Sequence, residues 1–139
     1  MYYPYFRGKQ FELILLREQA EFLSQTKIIP IVEPVKQNIS GLERVIDSFK
    51  HYQTPLVLII NPKEGDLKDN NETLLNKINE YSSGYRQFYL GYIVDLNTNM
   101  DVVRQFLDDN LDNNIAIIHD SYDKPKELAT ILQNYTNVK

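Results

Sequence analysis

There is no cysteine in this 139-residue sequence. That excludes a disulfide framework, a thiolate metal site and a cysteine nucleophile, and it makes the cytoplasm the expected compartment. Tryptophan is absent as well, so the aromatic content rests on 10 Tyr and 6 Phe. Several tyrosines gather in "YYPY", where rings can pack while their hydroxyls stay in water. No apolar run approaches the ~18 residues a membrane span needs, and the opening "MYYPYFRGKQ" lacks a basic stretch followed by an apolar one. A soluble chain without a membrane partner or an export signal is therefore expected. Positive charge is in deficit: 15 Lys and Arg stand against 19 Asp and Glu, a net charge of −4. A phosphate backbone calls for the opposite balance, which disfavours nucleic acid as a partner. Gly8, Gly41, Gly65, Gly84 and Gly91 are too scattered to build a Walker loop, a Gly-x-Gly-x-x-Gly fingerprint or a nucleophile elbow.

What is present is a rhythm. With 42% hydrophobic residues the chain has the size of one domain, residues 1–139, able to bury a core. Tyr2 to Phe6, interrupted by Pro4, reads as a first strand. Between Gln10 and Ser24, Phe11, Ile14, Leu15, Glu18 and Phe22 interleave with Leu13, Leu16, Ala20 and Leu23 at helical spacings, a wide apolar face. Ile28 to Val32 is the second strand. Ser40 and Glu43 then stand at capping-box spacing before Leu42, Val45, Ile46 and Phe49. Leu56 to Ile60 is an unbroken apolar run of the kind that parallel strands show when buried on both faces. A helix through Leu74, Leu75, Ile78 and Tyr81 ends at "SSG". Phe88 to Val94, Met100 to Leu111, Ile115 to Ile118 and Lys126 to Tyr135 complete a βα unit repeated five times.

Repeated βα units predict an α/β fold with a parallel sheet and right-handed crossovers. Two windings satisfy the pattern: a partial TIM-barrel-like array, or a five-stranded doubly wound, flavodoxin-like sheet, which the length favours because a full eight-unit barrel takes ~250 residues. In either winding the carboxyl ends of the strands gather on one side, where ligands bind. The polar residues that stop each apolar run are therefore the candidate site. These are Arg7 and Lys9, Glu33 and Lys36, Asn61 and Lys63, Asp95 and Asn97, and His119 with Asp120. Pro34 holds Glu33 toward an extended conformation. For an enzyme, Glu33, Asp95 and His119 are the candidate acid and base groups, with Arg7, Lys9, Asn61 and Lys63 to hold an anionic substrate. Each of these residues has a plainer reading, since a strand leaving the core must turn polar in any case; His51 reads as a surface residue. Glu33, Asp95, His119 and Asp120 are metal-ligating types without diagnostic spacing, so metal and cofactor use stay unknown.

The segments "YYPYFRGKQFELILLRE", "IIPIVEPVK", "IINPKEG" and "IIHDS" together resemble an uncharacterised bacterial family related to the phage "beta protein" family. Its members open on a similar Tyr/Pro/Arg-Gly-Lys-Gln-Phe-Glu segment and carry Pro-x-x-Glu-Pro and Asn-Pro strand ends. The resemblance implies a βα barrel-like protein of unknown activity, with relatives in phage and mobile-element settings. It supplies no catalytic residues. Family members are roughly twice as long, so the chain corresponds to their N-terminal half. Two functions follow as expectations: a module that binds a partner protein or self-associates as a homo-oligomer, and a hydrolase acting on an anionic or phosphorylated substrate. A sheet left short of strands has open edges, and open edges pair; "IAIIH", with no proline or internal charge, is the expected pairing edge.

Overall fold

The computed structural model of the chain describes residues 2–34, 40–62, 71–95 and 98–120, with the backbone alone for 71–74, 119 and 120. In chain order the elements are β1 (Tyr5–Arg7), α1 (Gln10–Glu18), α2 (Ala20–Ser24), β2 (Ile31–Glu33), α3 (Ser40–Tyr52), β3 (Leu56–Ile59), α4 (Asn71–Tyr81), β4 (Phe88–Asp95), α5 (Met100–Asp109) and β5 (Asn114–Asp120). The helix expected over 126–135 lies outside the described residues. All four strand pairings are parallel, and the strands stand in the sheet as β1-β2-β3-β4-β5. A doubly wound sheet reverses its strand order at a switch point. None occurs among the described strands, so the flavodoxin-like alternative is corrected: their spatial order follows chain order, as in βα-barrel winding.

Two strand boundaries differ from expectation because of proline. The first ladder begins at Tyr5, with Tyr2 joined to Ile28 only by an isolated bridge, and the second begins at Ile31, just after Pro30. Proline has no N–H to give a ladder, so regular pairing starts beyond it. The helix expected over 10–24 is divided at Gln19 (φ −99°, ψ 5°), whose N–H is shared between the carbonyls of Leu15 and Leu16. This is the tightening seen where a helix end turns toward 3₁₀ geometry.

The sheet has two unlike faces. On the outer one, Val32, Leu56, Leu58, Leu90, Val94 and Ile115 pack with Leu13, Leu16, Ala20, Leu23, Leu42, Val45, Ile46, Phe49, Ile78, Val103 and Leu107 of the helices in a single core. The inner face carries the alternate residues Ile31, Val57, Ile59, Tyr89, Gly91 and Ile93. Ile59 is fully buried there and Val57 nearly so, although none of the described helices belongs to that face of the core. Gly91 explains how. A Cβ at that position would stand 2.8 Å from Ile59 Cδ1, 2.9 Å from Val57 Cγ1 and 3.2 Å from Ile118 Cδ1, so residues of the two flanking strands lean over the glycine. The inner face is concave over β4.

The helices do not use all their apolar surface. Leu13, Leu16, Ala20 and Leu23 are buried, whereas Phe11 (77%), Phe22 (60%), Leu15 (44%) and Ile14 (39%) are exposed. Gly41 of α3 approaches Leu13 Cδ1, and Ser48 Oγ of α3 donates to the Arg17 carbonyl. The buried stripe of α1 and α2 thus faces α3, and the exposed stripe lies on the opposite side.

Candidate functional site at the strand ends

Because the strands are parallel, their carboxyl ends share one end of the sheet, as the sequence predicts. Alternation along each strand then decides which face each end residue takes. Tyr5 registers with Ile31, and Arg7 with Glu33. Since Ile31 lines the inner concavity, Tyr5, Arg7 and Glu33 belong to that face. Glu33 is only 3% exposed, and its Oε1 accepts a hydrogen bond from the Tyr5 hydroxyl at 2.7 Å. Gly8 brings the chain leaving β1 against this point: its N–H donates to the Glu33 carbonyl at 2.7 Å, and a Cβ there would stand 3.3 Å from the Pro34 Cα. Exposed Arg7 and Lys9 flank the glycine.

Asn61 lies on the inner face just past β3, and it is occupied. Its Nδ2 donates to the Ile93 carbonyl at 3.0 Å, and its Oδ1 accepts from the Ile93 N–H at 2.9 Å. The carboxamide extends the ladder to β4 by one rung after the backbone of β3 has stopped. Its established work is to hold β3 and β4 together at the rim. Asp95 ends β4 on the same face, half buried, with Thr98 closing a turn over it. The Thr98 hydroxyl donates to Asp95 Oδ1 at 3.0 Å and accepts from the Asp95 N–H at 2.9 Å.

At β5 the register separates two neighbours that the sequence grouped. His119 pairs with Val94, and Asp120 with Asp95, so position 120 is the one aligned with the inner-face row. Glu33, Asn61, Asp95 and position 120 share the inner face; position 119 falls in the register of the helix-covered one. Lys36, Lys63 and Asn97 lie outside the described residues. Among the described residues no group of three or more His, Asp or Glu stands where it could hold a metal ion, and no helix is long and apolar enough to cross a membrane.

These end residues rise as a stair. Arg7 is level with Glu33, Asn61 stands two residues beyond that level, Asp95 two beyond Asn61, and Asp120 is level with Asp95. Below the stair, toward the amino ends of the strands, the inner face opens into a cavity of about 660 Å³ whose walls include Tyr3, Ile29, Ile31, Tyr89, Ala116 and Ile118. Among the described residues, none of the candidate site residues lines it. Tyr5 and Thr98 are the rim residues that sequence reading missed; Tyr5, two residues before Arg7 and so on its face, could have been found by alternation. Burial, and then the Asp95 carboxylate, push the Tyr92 hydroxyl above its ordinary range. No protein-family model matches the chain, and no curated protein or solved structure matches it.

Proposed function

We propose that the chain is a barrel-like association module, whose open side at β1 and α1 docks a further βα layer. The observation that carries this reading is the apolar stripe of Phe11, Ile14, Leu15 and Phe22, exposed on the side of α1 and α2 away from α3. Patches of this kind mark interaction surfaces. In an array wound in chain order, that side is where the helix of the adjoining unit belongs. The stair of strand ends supports the same view, since a net climb from strand to strand is the stagger by which a sheet curls into a barrel. The family resemblance, with its longer barrel-like members, points the same way. Sedimentation velocity over a concentration series tests the reading. The wild-type chain is expected above monomer mass, and the Phe11→Lys/Phe22→Lys double variant, still folded by circular dichroism, at monomer mass. Identical monomer mass for both at every concentration would overturn it.

A second reading, a hydrolase for anionic or phosphorylated substrates, draws on Glu33. A nearly buried carboxylate held by the Tyr5 hydroxyl and registered with Arg7 sets an acid beside an anion-binding cation at the end of the sheet where parallel folds bind ligands. Glu33→Gln is expected to abolish hydrolysis of phosphate monoesters while leaving the unfolding midpoint near wild type. Absence of turnover by the wild-type chain ends this reading.

A further inference from the structure

We propose that the docked layer is a second copy of this chain, joined about a two-fold axis running along the strand direction, so that β5 of each copy pairs in parallel with β1 of the other. This rests on the association reading and specifies its partner. A single operation answers three separate features. Each terminal strand of the described sheet meets the other terminal strand; the two concave apolar faces turn toward one another; and the exposed stripe on α1 and α2 comes beside the helical layer of the other copy.

The register of the junction follows from the stair. Inward positions must meet inward positions, so the offset from one copy to the next is an even number of residues. The strand ends climb four residues from β1 to β5, and repeating that climb sets Arg7 of the second copy level with Asp120. Tyr5 then falls opposite Ile118, and Tyr3 opposite Ala116, a large residue against a small one. Charge agrees with this choice. The β1 end of the rim carries Arg7 and Lys9 and the β5 end carries Asp95 and Asp120, so each junction brings bases of one copy to acids of the other. Shifting the register by two residues would set Tyr5 opposite Asp120 and lose that match.

Proline does not block the junction. The carbonyl of Pro4 and the N–H of Gly8 bond toward β2, so in parallel alternation positions 3 and 5 turn their backbone to the other side, while the Arg7 carbonyl accepts from the Lys9 N–H. Ten strands would also enclose a wider space than eight, and the groove on the inner face would become part of it. The rim of such a dimer is composite, with Arg7 of one copy beside position 120 of the other and Asp95 one strand further along.

The test has two arms on the full chain. The first is charge exchange: Arg7→Asp and Asp120→Arg are each expected to weaken dimerisation about tenfold, and the two together to restore it to within about threefold of wild type. The second exploits the absence of native cysteine. Tyr5→Cys and Ile118→Cys chains, mixed and treated with a short bifunctional maleimide, are expected to give the crosslinked heterodimer, while Tyr5→Cys alone gives none. This arm stands even if a charge variant fails to fold. A dimer lacking both the rescue and the Tyr5–Ile118 crosslink would overturn this arrangement and leave the association reading in place; a monomer at all concentrations would overturn both.

Discussion

Thr54, fully buried, ties three parts of the chain at one point. Its hydroxyl donates to the Ala20 carbonyl at 2.7 Å, its N–H donates to the Phe49 carbonyl, and its own carbonyl accepts from the Tyr85 hydroxyl. Burial pushes the Tyr85 phenol far above its ordinary value near 10, so the folded chain keeps this proton at pH values where the unfolded chain has released it. Stability from this group is therefore complete below pH ~10 and falls above it, by about 1.4 kcal/mol per pH unit. Tyr85→Phe is expected to cost about 1–3 kcal/mol at neutral pH by stranding the Thr54 carbonyl. It should also flatten the alkaline loss, read by urea unfolding at pH 8 and pH 11. Gly91→Ala brings a methyl against Ile59 and Val57 on the concave face, and a loss of about 1–3 kcal/mol is expected from overpacking. An unchanged midpoint would mean that the flanking strands can move apart.

Among the elements, β3 was the most legible in the sequence: Leu56 to Ile60 reads as buried on both faces, and all five residues are 3% exposed or less. The helices from Ser40, to Tyr81 and from Met100 were legible too, because caps and period mark them locally. Less legible was which apolar stripe of α1 and α2 would be buried. Both stripes have the right period, and only the position of α3 selects Leu13 and Leu16 over Phe11 and Leu15. The two stripes separate in a direct comparison. Leu16→Ala is expected to cost about 2–5 kcal/mol, whereas Leu15→Ala should stay within about 1 kcal/mol of wild type in the monomer. At the site, the gathering of strand ends followed from parallel winding, but the face taken by His119 did not. It depends on pairing with β4, and a register shift of one residue exchanges His119 with Asp120 on the inner row. The role of Asn61 was hidden for a similar reason, since its partner, the backbone of Ile93, is 32 residues away.

For the molecule as a whole, length favoured a doubly wound sheet and strand order decided otherwise. Both windings repeat the same βα unit, and the difference lies in where each crossover lands, which no single unit encodes. Because neighbours in the chain are neighbours in space, each described strand pairs with the one before and the one after it. Such a stack behaves as a one-dimensional chain of couplings and unravels from its weaker end inward. The weaker end is evident: β1 holds β2 through three registered pairs, while β4 and β5 share seven. Native-state hydrogen exchange is expected to grade accordingly, fastest at Tyr5 to Arg7 and slowest at Leu90 to Val94, and one common rate across all five strands would contradict it. The same ladder of strengths means that a partner strand added beside β1 would protect the end that peels first, so association and resistance to fraying should rise and fall together.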